Sequence, residues 1–287
     1  MDRVMPVYHS AVKANAQVLI ITHASKNVSE QGIKDPLLYP GAPHTHLLEK
    51  VLDNIEQCAG LADVVIAFDH KMDCEISRAY FENLQEFCDR RKARLVLSPS
   101  SLLMLNQFTA TAAFKRGVDA VDGEYVLFFE HDHLFRSGLD WQLIDHAINL
   151  GAQMVRFNRR ANESDPRGVE VVTPCASLEG VCETNYYCNG PFLAKTNFCS
   201  DLFELAERQI PTWNGLFGGF VEGPLTRQMI ADEFNLSHSE FRRKYPIYLY
   251  GDVGAPPLID HFGDFPGRRA RWAKRIKRWL HQADPTG

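Results

Sequence analysis

The chain has 287 residues, 45% of them hydrophobic and 23% charged, and its 31 basic and 36 acidic residues give a formal net charge of −5. These proportions belong to a globular protein with a sizeable core, and they exclude a disordered chain, a collagen-like repeat and a disulfide-stapled scaffold. The charge is uneven: Arg268, Arg269, Arg271, Lys274, Arg275, Lys277 and Arg278 follow one another without an acid among them, so the body of the chain is more acidic than the total suggests.

Cys58, Cys74, Cys88, Cys175, Cys182, Cys188 and Cys199 contain no C-x-x-C pair, which argues against a structural zinc site. Cys58 and Cys88 fall at apolar positions of predicted helices, and the set reads as buried free thiols in a reducing compartment. Cys175, Cys182 and Cys188 are near enough in sequence to pair or to share a metal, but their spacing matches no zinc pattern. No apolar run approaches the ~20 residues of a membrane span. Val18 to Ile21 is too short to be the core of a signal peptide, so a cytoplasmic location is expected.

In chain order, Gln17 to Thr22 is a short β-branched run that reads as a buried parallel strand. His44 to Ala59 carries Leu47, Leu48, Val51, Leu52 and Ile55 at helical spacing. Asp63 to Phe68 is a second strand, ending at Asp69. Glu75 to Arg91 is helical, with Ile76, Tyr80, Leu84 and Phe87 on one face. Arg94 to Leu97 is a third strand, stopped by Ser98-Pro99. Leu103 to Arg116 reads as a helix with Gly117 as its stop, and Glu124 to Phe129 as a fourth strand. Such alternation predicts parallel strands with ligands beyond their carboxyl ends, which places Thr22, Asp69 and the segment after Phe129 along one rim.

The second half is less regular. Gln153 to Asn158 is a predicted strand, Arg159 to Glu183 a long loop, and Tyr186 to Ala194 a strand around Asn189-Gly190-Pro191. Ser200 to Gln209 is helical, Trp213 to Gly223 a glycine- and aromatic-rich loop, and Pro224 opens a helix through Ala231. Ile247 to Tyr250 is a short strand. Asn185 to Pro191 lies near a bound sugar, or else is a strand and turn with core tyrosines.

The fourth strand runs directly into Glu130, His131, Asp132 and His133. In extended chain Glu130 and Asp132 share one face, and His131 and His133 the other. Two carboxylates at a sheet's ligand rim suit a divalent cation with oxygen ligands, Mg²⁺ or Mn²⁺; a polar turn closing a buried strand is the plainer alternative.

Residues 112–133, A-A-F-K-R-G-V-D-A-V-D-G-E-Y-V-L-F-F-E-H-D-H, resemble the segment of GT-A fold glycosyltransferases that ends in the D-x-D motif. The resemblance covers the strand–helix order from Val18 to Phe135 and thins to scattered points beyond it. It implies an α/β fold with a Rossmann-like, mostly parallel central sheet flanked by helices, a nucleotide-diphosphate-sugar donor, and Mn²⁺ or Mg²⁺ bridging the diphosphate. By position, Glu130 stands at the first Asp, near ribose and metal, and Asp132 at the second, the direct metal ligand. Asp69 stands where the family often places an acid against the base, and Thr22 where it forms the wall of the base pocket. The departure is Glu for Asp at position 130, with histidines interleaved. Lys115, Arg116, Arg156, Arg159 and Arg160 are cations near these positions in sequence, suited either to a diphosphate or to a solvated surface.

Glu222, in G-G-F-V-E-G-P-L-T-R, stands where inverting members carry an acidic base, and Trp213, Phe217 and Phe220 before it could stack on sugar rings. Its plainer reading is a first-turn acid that complements the helix dipole; Asp201 and Asp232 are weaker competitors for the base. His261, in I-D-H-F-G-D, resembles the late histidine that several GT-A enzymes use as a further metal ligand, with Asp260 and Asp264 as alternatives and His131 and His133 as further candidates.

Residues 271–282 place Trp272, Ile276, Trp279 and Leu280 at helical spacing among basic residues, the composition of a cationic interfacial helix. It predicts either attachment to an anionic membrane surface, about 1 kcal/mol per basic residue, or docking on the acidic body. Nucleic acid is a poor partner for a body so acidic. The expected organisation is one GT-A catalytic domain over residues 1–265, with a nucleotide-binding half at 17–135 and an acceptor half at 136–265, followed by the basic tail at 266–287. The expected activity is transfer of a sugar from a nucleotide-diphosphate sugar to a glycan or lipid-linked saccharide acceptor. The alternatives are a metal-dependent nucleotidyltransferase or sugar-nucleotide hydrolase, and a binding protein without turnover.

Overall fold

The computed structural model describes residues 8–23, 45–100, 106–166, 170–188, 190–209 and 221–261. Asn189, Trp213, Phe217, Phe220, Asp264 and the basic tail, including its expected amphipathic helix, lie outside these residues. A short helix α1 (Ala11–Ala14) leads into β1 (Ala16–His23), followed by α2 (His46–Ala59), β2 (Val64–Lys71), α3 (Glu75–Arg91), β3 (Arg94–Ser100), α4 (Asn106–Asp119) and β4 (Tyr125–Glu130). Then come β5 (His133–Phe135), α5 (Trp141–Asn149), β6 (Met154–Arg156), β7 (Val172–Pro174), β8 (Val181–Thr184), β9 (Phe192–Lys195) and α6 (Thr196–Gln209). The described chain closes with α7 (Glu222–Asn235), α8 (His238–Lys244), β10 (Ile247–Tyr250) and β11 (Ile259–His261).

Among the described residues nine strands form one sheet in the order β3-β2-β1-β4-β9-β6-β10-β8-β7, and β5 pairs with β11 in a separate ribbon. The first four are mutually parallel, as the strand–helix alternation predicts. β9 is antiparallel to both β4 and β6, β10 is parallel to β6, and β8 is antiparallel to its neighbours, so only β9 and β8 run against the rest. The result is an α/β architecture with a mostly parallel central sheet flanked by helices.

Alternation along each strand builds the two layers. Val18, Ile20, Ile66, Phe68, Leu127 and Phe129 face α2, α3 and α5, whose Leu48, Val51, Ile55, Leu84, Phe87 and Ile144 close that core. Leu19, Ile21, Val65, Ala67, Val126 and Phe128 face the other way, into Phe114 of α4, Leu202 of α6 and Leu225 of α7. Both faces of β1, β2 and β4 are thus covered, which is why their sequences are continuous apolar runs.

The structure corrects several expectations. Gly117 does not stop α4; the helix continues to Asp119, and a Cβ at Gly117 would lie 2.5 Å from Leu19 Cδ1 and 3.0 Å from Ala67 Cβ. The glycine lets α4 lie close on the sheet. The loop expected over 159–183 contains β7 and the start of β8. The strand expected from Tyr186 is confined to β9, because Tyr186 to Pro191 crosses the rim before the chain turns into the sheet. Helix α5 is absent from the sequence reading although Asp140 caps it, accepting from the backbone N–H of Gln142 and Leu143. All seven cysteines are free, and Cys74, Cys88, Cys182 and Cys199 are buried. No helix among the described residues is long and apolar enough to cross a membrane.

Since a helical Gly→Ala change ordinarily gains about 1 kcal/mol, Gly117→Ala separates propensity from packing. The expected outcome is a net loss of about 1–3 kcal/mol in urea unfolding from overpacking against Leu19. Leu19→Ala in the same chain should reduce that loss, as a double-mutant cycle would register. A more stable Gly117→Ala protein would refute this account of the glycine.

Candidate functional site

β4, β6 and the other strands of their direction end on one rim, and antiparallel β9 begins there. Segments 130–136, 156–166 and 186–191 therefore meet, joined by the Phe157 N–H donating to the Pro191 carbonyl at 2.9 Å. At the end of β4 the chain turns at residues 131–132 before β5 begins. This turn breaks the two-residue alternation expected across Glu130 to His133. His133 comes round to the side of the acids, its Nδ1 3.3 Å from Asp132 Oδ1 and 3.6 Å from Glu130 Oε2. His131 is buried and packs edge-on against His23, ring centroids 5.0 Å apart.

The antiparallel pairing of β5 with β11 sets His261 opposite His133. His261 Nε2 lies 2.9 Å from Asp132 Oδ2, and the two imidazole centroids are 4.9 Å apart. The neighbouring pair is tied on the outside: Arg136 Nε donates to Asp260 Oδ1 at 2.8 Å, so Asp260 is engaged away from the cluster. Asn54 on α2 holds the far edge of β5, its Oδ1 accepting from the Phe135 N–H at 2.7 Å and its Nδ2 donating to the Phe135 carbonyl at 3.0 Å. The approach to β11 is held by Asn162, whose Nδ2 donates to the carbonyls of Tyr250 and Gly251 at 2.9 and 3.0 Å.

One ligand atom from each of Asp132, His133 and His261 lies within 4.8 Å of the others. Two of the three ligands expected from the sequence, Asp132 and His261, are in this group. His133 takes the third place, and Glu130 stands beside it. Asp132 Oδ1 and His133 Nδ1 are both buried without a hydrogen-bond partner, and buried polar atoms left so are costly unless something else satisfies them. A carboxylate, two imidazoles and these two orphaned atoms fit a divalent cation. Burial and the charge of Asp132 push the Glu130 carboxyl up to about 7. Burial alone would raise Asp132, but His133 and His261 outweigh it and hold that carboxyl well below the usual range.

A cavity of about 480 Å³ lies between 156–166 and 186–191, with Glu222 on its wall. Buried Arg156 donates to Glu170 Oε1 at 2.9 Å and to the Tyr186 carbonyl at 2.8 Å, with its guanidinium 5.5 Å from the Tyr186 ring centre. The Tyr186 hydroxyl donates to Glu222 Oε1 at 2.8 Å. Burial and Glu222 raise the tyrosine's pKa above its ordinary value, so it remains a donor. Glu222 opens α7, where an acid also complements the helix dipole, and its charge contributes to the raised pKa of Glu130. Arg159 lines the cavity and reaches the cluster, Nη1 donating to His133 Nε2 at 3.4 Å.

The remaining sequence candidates are placed as follows. Thr22 is buried with its hydroxyl 2.9 Å from that of Tyr80, and Asp69 is buried between Ser100 Oγ at 2.7 Å and Lys71 Nζ at 3.4 Å. Lys115 is on α4, two residues before Gly117. Arg116 is exposed on the same helix, and Arg160 lines the cavity. Asp201 is exposed on α6, and Asp232 is taken by Lys244 and Tyr245, each at 2.6 Å. Segment 185–191 divides: Asn185 and Tyr187 support the core, whereas Tyr186 and Cys188 line the cavity. Sequence reasoning missed Tyr186 as the partner of Glu222, and no local pattern marks that contact.

No family model and no curated protein matches the chain. Among solved structures it is similar to apo UDP-glucose pyrophosphorylase (12% identity, 92% of this chain and 99% of that one, TM-score 0.48). It is also similar to a nucleotidyl transferase from Methanothermobacter (12%, 93% and 99%, TM-score 0.43) and to the S. aureus TarS fragment 1-349 (13%, 84% and 59%, TM-score 0.41). Likeness at this level carries no argument about activity, and the architecture rests on the strand order itself.

The raised carboxyl of Glu130 has a stability cost with a definite sign. The folded state keeps a proton that the unfolded chain releases from about 4.5 upward, so the site loses stability as pH rises from 4.5 to about 7 and stays at that lower level above it. Glu130→Gln should therefore stabilise the metal-free protein at pH 8 by about 1–2 kcal/mol, allowing for solvent screening at the rim. The gain should shrink toward pH 5 in urea unfolding; an equal gain at both pH values would assign it to packing instead.

Proposed function

We propose that the chain is a metal-dependent glycosyltransferase that moves a sugar from a nucleotide-diphosphate sugar to a glycan or lipid-linked acceptor with inversion. One observation carries the reading: a cavity at the carboxyl rim of the sheet has in its wall a carboxylate with a held geometry, Glu222, and Arg159, which reaches His133 of the Asp132–His133–His261 group. Inverting transfer needs a base on the acceptor side and stabilisation of a departing diphosphate on the other.

Asp132, His133 and His261 would hold the cation, taken here as Mn²⁺ or Mg²⁺. Bound there, it supplies stabilisation of the charge developing on the diphosphate. Glu222 takes the proton from the acceptor hydroxyl. Tyr186 occupies Oε1 and so fixes the carboxylate, and Arg156 braces Tyr186 from behind through the backbone carbonyl and the ring face. Glu130, with its carboxyl near 7, sits at the ribose side of the cluster in this reading. The basic tail would bring the enzyme to an anionic membrane surface at the cytoplasmic side, where a lipid-linked acceptor is found.

A thermal-shift panel of UDP, GDP, CMP and dTDP sugars, with and without Mn²⁺, tests the donor side. The wild type is expected to show a metal-dependent shift with at least one donor, and Asp132→Ala to show none. Glu222→Gln should keep that shift and lose about 10²–10⁴-fold in transfer rate. A wild type that responds to no donor in Mn²⁺ refutes the proposal. Undiminished turnover of the donor by Glu222→Gln favours the nucleotidyltransferase or hydrolase reading.

A further inference from the structure

The register of β7 with β8 sets Val172 opposite Thr184, and continued two residues beyond β7 it brings Glu170 opposite Tyr186. The Val171 N–H, donating to Asn185 Oδ1 at 2.8 Å, holds the chain on that course. Glu170 Oε1 accepts there from two donors, Arg156 Nη1 at 2.9 Å and Thr184 Oγ1 at 3.1 Å. Each donor has a second contact. Nη1 carries two protons, and the other goes to the Tyr186 carbonyl at 2.8 Å. The Thr184 hydroxyl has one proton. Donating it to Glu170 leaves a lone pair for the Tyr186 N–H, which meets it at 3.2 Å. The two peptide groups that flank the Tyr186 Cα are thus tied to one carboxylate oxygen, one through each donor. Fixing both fixes the direction in which the Tyr186 side chain leaves the backbone, and its hydroxyl meets Glu222 Oε1 at 2.8 Å. Arg156 and Thr184 are both buried, so water is a poor substitute for the Glu170 oxygen.

We propose that Glu170 is a positioning residue for the transfer reaction: it fixes the main chain on both sides of Tyr186 and so presents that residue's hydroxyl to the Glu222 carboxylate. Glu170 acts through Arg156 and Thr184 together. A simple counter-ion for Arg156 would need no contact with Thr184 and no register opposite Tyr186. The inference rests on the glycosyltransferase reading only in taking Glu222 as the base, and the clamp on Tyr186 stands apart from it.

Tyrosine labelled with ¹³C at the ring carbon that bears the hydroxyl tests the clamp by NMR, on the full chain and without substrate. The Tyr186 signal is identified by its loss in Tyr186→Phe. Glu222→Ala should shift it, because the hydroxyl loses a carboxylate acceptor. Glu170→Ala should shift it in the same direction, and so should Thr184→Val, which removes one arm of the clamp. Glu170→Gln, which keeps an oxygen for both donors, should return most of the wild-type position. A Glu170 that only neutralises Arg156 would lower stability in urea and leave the signal in place. In transfer assays Glu170→Ala should lower kcat about tenfold or more with the donor KM unchanged. That loss should largely vanish in a Tyr186→Phe background, since the hydroxyl through which Glu170 acts is already gone. An unmoved Tyr186 signal in folded Glu170→Ala and Thr184→Val overturns the inference whatever the activity; if Glu170→Ala does not fold, Thr184→Val decides. Shifted signals with a Glu222→Gln enzyme as fast as the wild type keep the clamp but refute Glu222 as base, and with it the role of Glu170 in transfer.

Discussion

Three residue pairs between β5 and β11 hold the candidate site together. Their register sets His133 against His261, and Asp132 in the turn just before β5 meets both rings. Shifting that register by one residue would turn His261 to the opposite face and bring Asp260 inward. The surrounding contacts oppose such a slip: Arg136 holds Asp260 outside, Asn54 holds Phe135, and the backbone carbonyl of Asn158 accepts from Leu258 and Ile259. So short a ribbon has little stability of its own. It depends on side chains from α2 and on the segment after β6.

The second constraint is the direction of β9. By running against β4 and β6 it brings its entry segment to the rim at which those strands end. Tyr186 and Cys188 then line the cavity together with Arg156 and Arg159. The nine-stranded sheet is therefore continuous through the parts of the chain expected to hold donor and acceptor. The orphaned Asp132 Oδ1 and His133 Nδ1 and the strained ionisation of Glu130 oppose stability, as expected where geometry serves binding.

The first half of the fold was legible because β1, β2 and β4 are buried on both faces, and their apolar runs admit few other readings. Helix α3 was read with the same bounds, since Tyr80, Leu84 and Phe87 repeat at helical spacing. The second half was not legible in the same way. β5, β7 and β11 are three residues each, too short for periodicity to register, and β5 and β11 are strands only because they pair with each other across more than a hundred residues; β6, equally short, was read within 153–158. At the site, Asp132 and His261 could be nominated from their positions, but the inward turn of His133 depends on the break in extended chain at residues 131–132. Gly117 was misread for a related reason: a glycine late in a helix marks either an end or a close approach, and only the neighbouring Leu19 distinguishes them.

The clamp made by Asn54 has a consequence for association between molecules. A two-stranded ribbon ordinarily leaves its outer backbone groups open to a further strand, and such edges recruit other chains. On β5 the outward N–H and carbonyl of Phe135 are already taken by one primary amide, which meets the backbone much as a neighbouring peptide unit would. The side chain thus terminates the ribbon at a point where extension would bury the histidine group beneath another polypeptide.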